Sequence, residues 1–451
     1  MRKLQAKSAL LPDGWARNVR IEIGTDGRLA SVMPESPLDA AVETYHTLLP
    51  APSNLHSHAF QRALAGLTEV RGPGDDDFWS WRERMYDFLP RLTPEDMEII
   101  AAQLYAELAE SGFAAVAEFH YLHHQADGMA YADIAEMAGR ISSAATQTGL
   151  GLTLLPVAYA RSGFGGAPAN SGQIRFFNTA KDFLALWEAS RVHLHRADDH
   201  LGMAPHSLRA VTPDDLSTIL AASHDGPIHI HAAEQVREVE DCLAWSGQRP
   251  VEWLLDHHDI NECWCLIHAT QMTETETAAL AKTGAVAGLC PTTEADLGDG
   301  IFNGRQWHAA GGKWGIGTDS HIGTDIAVEL RQLEWSQRLI HKQRTVLANP
   351  MQSNAMSLYT SALQGGAQAL GRQSGRMEAG YWADMVALDA GHPALAGKSG
   401  DTLLDSWVFA GSRNCVSDVW SAGRHIVKDG QHIDRTEIAQ RYAAFMRHLL
   451  A

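Results

Sequence analysis

Basic residues are in short supply in this chain. Lys and Arg total 36 against 54 Asp and Glu, a formal charge of −18 over 451 residues. Such a surface repels nucleic acid and anionic membranes, so neither is expected as a partner. An acidic small molecule would have to be captured by arginines placed locally. Cysteine is also sparse: five residues, an odd and scattered set, exclude a disulfide framework. Cys263 and Cys265 fall two apart on an expected strand, yet no second pair completes a zinc ribbon. Both are read as core thiols, since free cysteine behaves as a small buried hydrophobe. Long apolar runs are missing as well; none approaches the roughly 18 residues of a membrane span. The opening Met1-Arg2-Lys3-Leu4-Gln5 leads into a turn at Pro12-Asp13-Gly14, not an apolar signal core, which predicts no export and a cytoplasmic location.

What the chain has in quantity is a strand-then-helix rhythm. Strand candidates run Leu48 to His58, Ala114 to Tyr121, Leu152 to Ala158 and Leu201 to Ser207, then Pro227 to Glu234, Cys263 to His268, Val286 to Cys290 and Trp314 to Asp319. Helices fill the gaps. Thr93-Pro94-Glu95-Asp96 and Thr212-Pro213-Asp214-Asp215 each offer a threonine N-cap, a proline in the first turn and acids against the positive helix end. Eight such strands with intervening helices predict an α/β fold, a (β/α)8 TIM barrel over residues 49–375. Short strands near both ends (Val19 to Ile23, Leu29 to Val32, Met385 to Asp389, Ser406 to Phe409, Val416 to Trp420) predict a small β-sandwich domain built from residues 1–48 and 376–432. Apolar Ile438, Tyr442, Phe445, Met446 and Leu449 share one face of an expected C-terminal helix within 433–451.

Residues able to do chemistry gather where these runs end. His56 and His58 close the first strand, His206 the fourth, His231 and Glu234 the fifth, His268 the sixth and Asp319 the eighth. In a parallel barrel those ends converge on one mouth, where active sites form. His56 and His58 lie two apart, so both imidazoles face one side of the strand. With His231 and Asp319 they make a ligand set of three imidazoles and one carboxylate for one divalent metal, zinc by preference and ferrous iron as the alternative. His229, two residues before His231, points the same way but deeper and reads as core. The fourth strand has no lysine to bridge a second ion, so one metal is expected. Metal-activated water needs a proton carrier. Glu234, just past the fifth strand, is the expected general acid and base; Asp319 and His268 are expected to help deprotonate and aim the water.

Pro52-Ser53-Asn54-Leu55-His56-Ser57-His58, Pro205-His206, His231-Ala232-Ala233-Glu234, His268 and Gly317-Thr318-Asp319-Ser320 together resemble the amidohydrolase superfamily over nearly the whole chain. The His-x-x-Glu and Pro-His pattern is similar to its deaminase branch. Cys290-Pro291-Thr292-Thr293-Glu294-Ala295-Asp296-Leu297-Gly298-Asp299-Gly300 and Ala59-Phe60-Gln61-Arg62-Ala63-Leu64-Ala65-Gly66 are similar to the formimidoylglutamate deiminases. That resemblance implies hydrolytic deimination of a small acidic substrate, N-formimidoyl-L-glutamate, in a homodimeric enzyme. It also implies Gln61, Arg82, Tyr121, His206 and Arg209 as substrate contacts, with Arg84 the competitor of Arg82. Bidentate arginines suit a dicarboxylate. The aromatic-rich stretch Asp77 to Tyr86 is expected to form a lid over the mouth. The alternatives are a deaminase of the same superfamily acting on a nucleobase or pterin-like ring, imidazolonepropionase, and a non-catalytic scaffold.

Overall fold

Eight parallel strands, each delivering its C-terminal end to one rim, organise the centre of the computed structural model, which describes residues 1–71, 76–222 and 225–451. They are β1 (Ser53–Ser57), β2 (Ala115–His120), β3 (Gly151–Ala158), β4 in two pieces (His200–Leu201 and Ala204–Pro205), β5 (Ile228–Ala232), β6 (Trp264–His268), β7 (Val286–Leu289) and β8 (Lys313–Ile316). Parallel ladders join β1 through β4 and β5 through β8. Single parallel bridges close the two seams: Met203 with Ile228 and Ser207 with His231 between β4 and β5, and Ser57 with Asp319 between β1 and the end of β8. The strands are almost wholly buried, as helices covering a parallel sheet require. Helix Asn354–Ala369 lies directly on β8 because Gly365 has no side chain; a Cβ there would stand 1.9 Å from the Trp314 carbonyl oxygen. Both expected threonine caps form, Thr93 and Thr212 each accepting from the backbone N–H three residues on.

The chain ends share one eight-stranded sheet. Arg2–Leu11, Gly14–Ile23, Leu29–Met33 and Glu43–Pro50 supply one half; Met385–Leu388, Val416–Ser421, Arg424–Lys428 and Gln431–His432 supply the other. The halves meet where Met385–Leu388 runs antiparallel to Glu43–Pro50. This sheet wraps a separate apolar core of Leu4, Val19, Ile21, Leu48, Met385 and Trp420, giving the sandwich-like domain built from both termini. The helix Arg435–Leu449 follows and packs on the barrel helix Pro94–Glu110, with Arg435 reaching Glu110 at 3.0 Å.

Three expectations need correction. Leu48 to Pro50 belongs to the terminal sheet, and the barrel strand begins only at Ser53. Ser406 to Phe409 is no strand but part of the helix Gly400–Ala410; buried Leu403, Leu404, Trp407 and Val408 follow helical spacing. Cys263 is exposed, because β6 starts one residue later, whereas Cys265 is buried in it.

Barrel and terminal sheet are tied by a buried charge cluster below the barrel. Arg372 donates to both Asp384 oxygens at 2.7 and 3.0 Å and to Asp198 Oδ2 at 3.3 Å. Arg424 grips both Asp198 oxygens at 2.9 and 2.5 Å. Asp384 also accepts from the Ala422 N–H at 2.7 Å. Burial works against the Asp198 carboxylate, yet the two guanidiniums hold its pKa down at about 2.

Candidate metal and catalytic site

The candidate ligand residues are positioned by backbone contacts. Asn54 Oδ1 accepts from the N–H groups of His56 and Thr318, pinning β1 to the segment after β8. Thr318 and Asp319 both donate their N–H to the His56 carbonyl, and His58 donates to the Asp319 carbonyl. Gly317 is required here: a Cβ would sit 2.7 Å from the His56 Cβ and 2.9 Å from the Cys290 sulfur. Three rim residues, Ala233, His268 and Asp319, hold left-handed φ values of 52°, 66° and 48°. Such backbone costs on the order of 1–3 kcal/mol per residue and persists where surrounding structure dictates it.

His56 Nε2 and His231 Nε2 are 3.2 Å apart, and Asp319 Oδ1 lies 3.5 Å from His56 Nε2 and 3.3 Å from His58 Nε2. The nitrogens of His56, His58 and His231 all fall within 4.8 Å of one another. His58 Nδ1–H donates to the Phe119 carbonyl at 2.9 Å, and His231 Nδ1–H to the His206 carbonyl at 3.0 Å. Each bond fixes the tautomer and leaves Nε2 free as a ligand atom. Burial and the neighbouring imidazoles hold His56 and His231 well below the usual histidine range, and burial brings His58 to about 3. Neutral imidazoles are the form a metal requires. His229 instead bonds the Ala369 carbonyl at 2.8 Å, a core role.

Around this cluster the carboxylates outnumber the cations. His268 Nε2 stands 3.7 Å from Asp319 Oδ2 and 3.8 Å from Glu234 Oε1, while its Nδ1 is 3.3 Å from Glu294. Burial opposes charge on this ring, but Glu234, Glu294 and Asp319 prevail and raise its pKa to about 10. Burial, with Glu234 and Glu294 adding to it, lifts Asp319 to about 7 against the pull of His268. Glu234 Oε2 accepts from Arg209 at 3.2 Å, and Arg209 lies 3.8 Å from Glu238.

Above the cluster lies a cavity. Its floor includes His58, His231, Glu234, His268 and Asp319. Gln61, Tyr121, His206 and Arg209 line its wall, and helix Phe78–Phe88 crosses over it, contributing Phe78, Trp81, Arg82, Met85 and Tyr86. Gln61 donates to the Tyr121 hydroxyl at 2.9 Å, while its own buried Oε1 has no partner. Arg82 lines the cavity, makes no ion pair among the described residues, and has a buried Nε without a partner. Arg84 turns away, donating to the Thr68 and Val70 carbonyls.

Every site residue picked from the sequence therefore borders the one cavity or, for His56, lies just beneath it. Arg209 adds something unforeseen: its guanidinium holds Glu234 as well as facing the cavity. Sequence reasoning passed over Glu294, Glu238 and Asp299. Glu238 accepts the N–H groups of Ala233 and Glu234, both at 3.1 Å. Its signal was a second acid one helical turn after Glu234. Glu294 and Asp299 were quoted only as part of a resembling segment.

A closed parallel barrel with this donor set at its mouth, and a terminal sheet beside it, is the architecture of the amidohydrolases. The Amidohydrolase family pattern matches residues 47–426, and the chain belongs to that family of metal-dependent hydrolases. Residues 1–45 match "Formimidoylglutamate deiminase HutF, N-terminal domain". Over 452 aligned residues, covering 100% of both chains, the sequence is 50% identical to formimidoylglutamate deiminase of Pseudomonas aeruginosa. A crystal structure of an amidohydrolase from Brucella melitensis, 51% identical, superposes with a TM-score of 0.96 over 100% of both chains. A 5-methylthioadenosine/S-adenosylhomocysteine deaminase of Natronomonas pharaonis is 28% identical over 85% of this chain and 81% of that one.

Proposed function

We propose that the chain hydrolyses N-formimidoyl-L-glutamate to N-formyl-L-glutamate and ammonia, a step of histidine degradation. One divalent ion, zinc in preference to ferrous iron, would be held by His56, His58, His231 and Asp319. The observation that carries this reading is a single cavity holding both the ligand cluster and two guanidiniums, Arg82 and Arg209, in a chain of charge −18. Full-length similarity to a formimidoylglutamate deiminase supports it. The donor set fits the ion: three buried neutral imidazoles, two of them oriented by backbone carbonyls, and one carboxylate.

When bound, such an ion brings the pKa of water from about 15.7 toward about 7. The chain's own residues do the rest. Arg82 and Arg209 receive the two substrate carboxylates, and Gln61, Tyr121 and His206 orient the body of the molecule. The acidic rim favours a cationic formimidoyl group, whose carbon is then electrophilic. Asp319 draws a proton from the attacking water, and His268, braced by Glu294, aims that water by hydrogen bonding. Glu234 passes protons to the departing nitrogen, within reach of both ends of the reaction. The water gives its oxygen to the formyl product and both protons to the nitrogen, which leaves as ammonium. The lid helix keeps other water out. A cytoplasmic homodimer completes the reading; sedimentation at twice the chain mass checks the second part.

The test is ammonia release by metal-replete protein across formimidoyl, guanidino and nucleobase compounds and 5-methylthioadenosine. Preference for N-formimidoyl-L-glutamate by at least tenfold in kcat/KM is expected. Preference for a purine or pyrimidine would move the chain to ring deamination, the reading that the relatives at 28% identity favour.

A further inference from the structure

Arg82 presents a physical puzzle. Its guanidinium lines the cavity, pairs with no acid among the described residues and leaves a buried Nε without a partner. Aromatic rings stand where a carboxylate would be expected: its Cζ is 4.5 Å from the centroid of Trp79 and 5.6 Å from that of Tyr86. Trp79 does not serve Arg82 alone. The Cζ atoms of Arg237 and Arg209 lie 4.6 and 5.7 Å from the same indole. One half-buried ring thus collects three guanidiniums from three separate segments: the lid helix, the loop after β4 and the helix Val236–Ser246.

We propose that Trp79 is a positioning residue for dicarboxylate recognition, holding the Arg82 and Arg209 guanidiniums around one indole so that both face the cavity. The physical reason is electrostatic. An indole carries negative potential on its faces and attracts a cation without neutralising its charge. A carboxylate in the same place would satisfy Arg82 and compete with the substrate. The ring therefore stabilises a cluster of positive charge while leaving Arg82 free to bind an anion, and it adds no acid to the Glu234 that Arg209 already meets. Indole is also the strongest of the aromatic side chains in this role. The contact spans the lid and the barrel loops, so the same residue sets the position of the lid relative to Arg209.

This inference rests on the proposed substrate, and the experiment separates the two. The holoenzyme and its W79F and W79L variants are assayed for ammonia release from N-formimidoyl-L-glutamate and from N-formimidoylglycine, which has one carboxylate. For W79L, a KM increase of about 3- to 30-fold for the glutamate compound is expected, the range of cation–π contacts, with kcat within about twofold. W79F, which keeps an aromatic face, should recover most of that loss. The KM for the glycine compound should change by a smaller factor than that for the glutamate compound. Equal KM increases for both compounds, equal effects of W79F and W79L, or no effect of W79L would each overturn the inference. W79M replaces W79L if the latter does not fold. Wild-type protein that releases no ammonia from the glutamate compound would instead remove the proposed function.

Discussion

Two buried clusters of charge, one at the mouth of the barrel and one beneath it, put the same side chain to opposite use. Asp198 and Asp319 are 2% and 5% exposed. Asp198 is held at about 2 and Asp319 is lifted to about 7. Depth does not explain the difference; partners do. Below the barrel, Arg372 and Arg424 meet Asp198 and Asp384 in a nearly complete set of hydrogen bonds. At the mouth, Glu234, Glu294 and Asp319 crowd around His268, Glu234 also meets Arg209, and Asp299 keeps a buried oxygen without a partner. Matched charge gives a joint between domains. Unmatched charge gives groups whose protons can be moved near neutral pH.

The sharpest way to break this contrast is at Glu234. E234Q should lower kcat by roughly 10²–10⁴ while bound metal per chain, read by atomic absorption, stays the same. The joint should fail in the opposite manner. R372M takes the guanidinium from Asp384, leaves Asp198 to Arg424 alone, and should cost about 3–5 kcal/mol in a urea titration, with kcat of the folded protein within about twofold. Glu294 sharpens the mouth side: E294Q should reduce kcat about 10- to 100-fold, the range for loss of an outer partner, with little movement of the urea midpoint. The smallest effect is in pH. The folded pKa of Asp198 lies below its ordinary 3.8, so its contribution is complete above that value and fades as pH falls toward about 2. Urea titrations of wild type and D198N at pH 5, 4 and 3 should converge on acidification by about 2 kcal/mol at most. A gap that stays constant over this range would show that the charge of Asp198 is not what the joint uses.

The mouth could be read from the sequence and the joint could not, for a definite reason. Rim residues terminate strands, and strands announce themselves by apolar runs; His56-Ser57-His58 adds a period-two signal of its own. Arg372, Asp198, Asp384 and Arg424 stand singly in four unrelated segments, with no local spacing to link them. The contact of Trp79 with Arg209 is hidden from sequence in the same way. Ser406 to Phe409 was misread because four apolar or small residues fit both periods, and only the buried Leu403 and Leu404 before them decide for a helix. Cys263 was misread by one residue of strand boundary, which moves a side chain from inside to outside.

The bridge between Ser57 and Asp319 has a bearing on synthesis. Its two sides are more than half the chain length apart, so contact between them is strongly non-local. A ribosome exposes the His-x-His pair early and the aspartate late. Until the cylinder shuts, the proposed set of three imidazoles and one carboxylate is incomplete. Loading of the proposed ion would thereby wait for a nearly finished molecule.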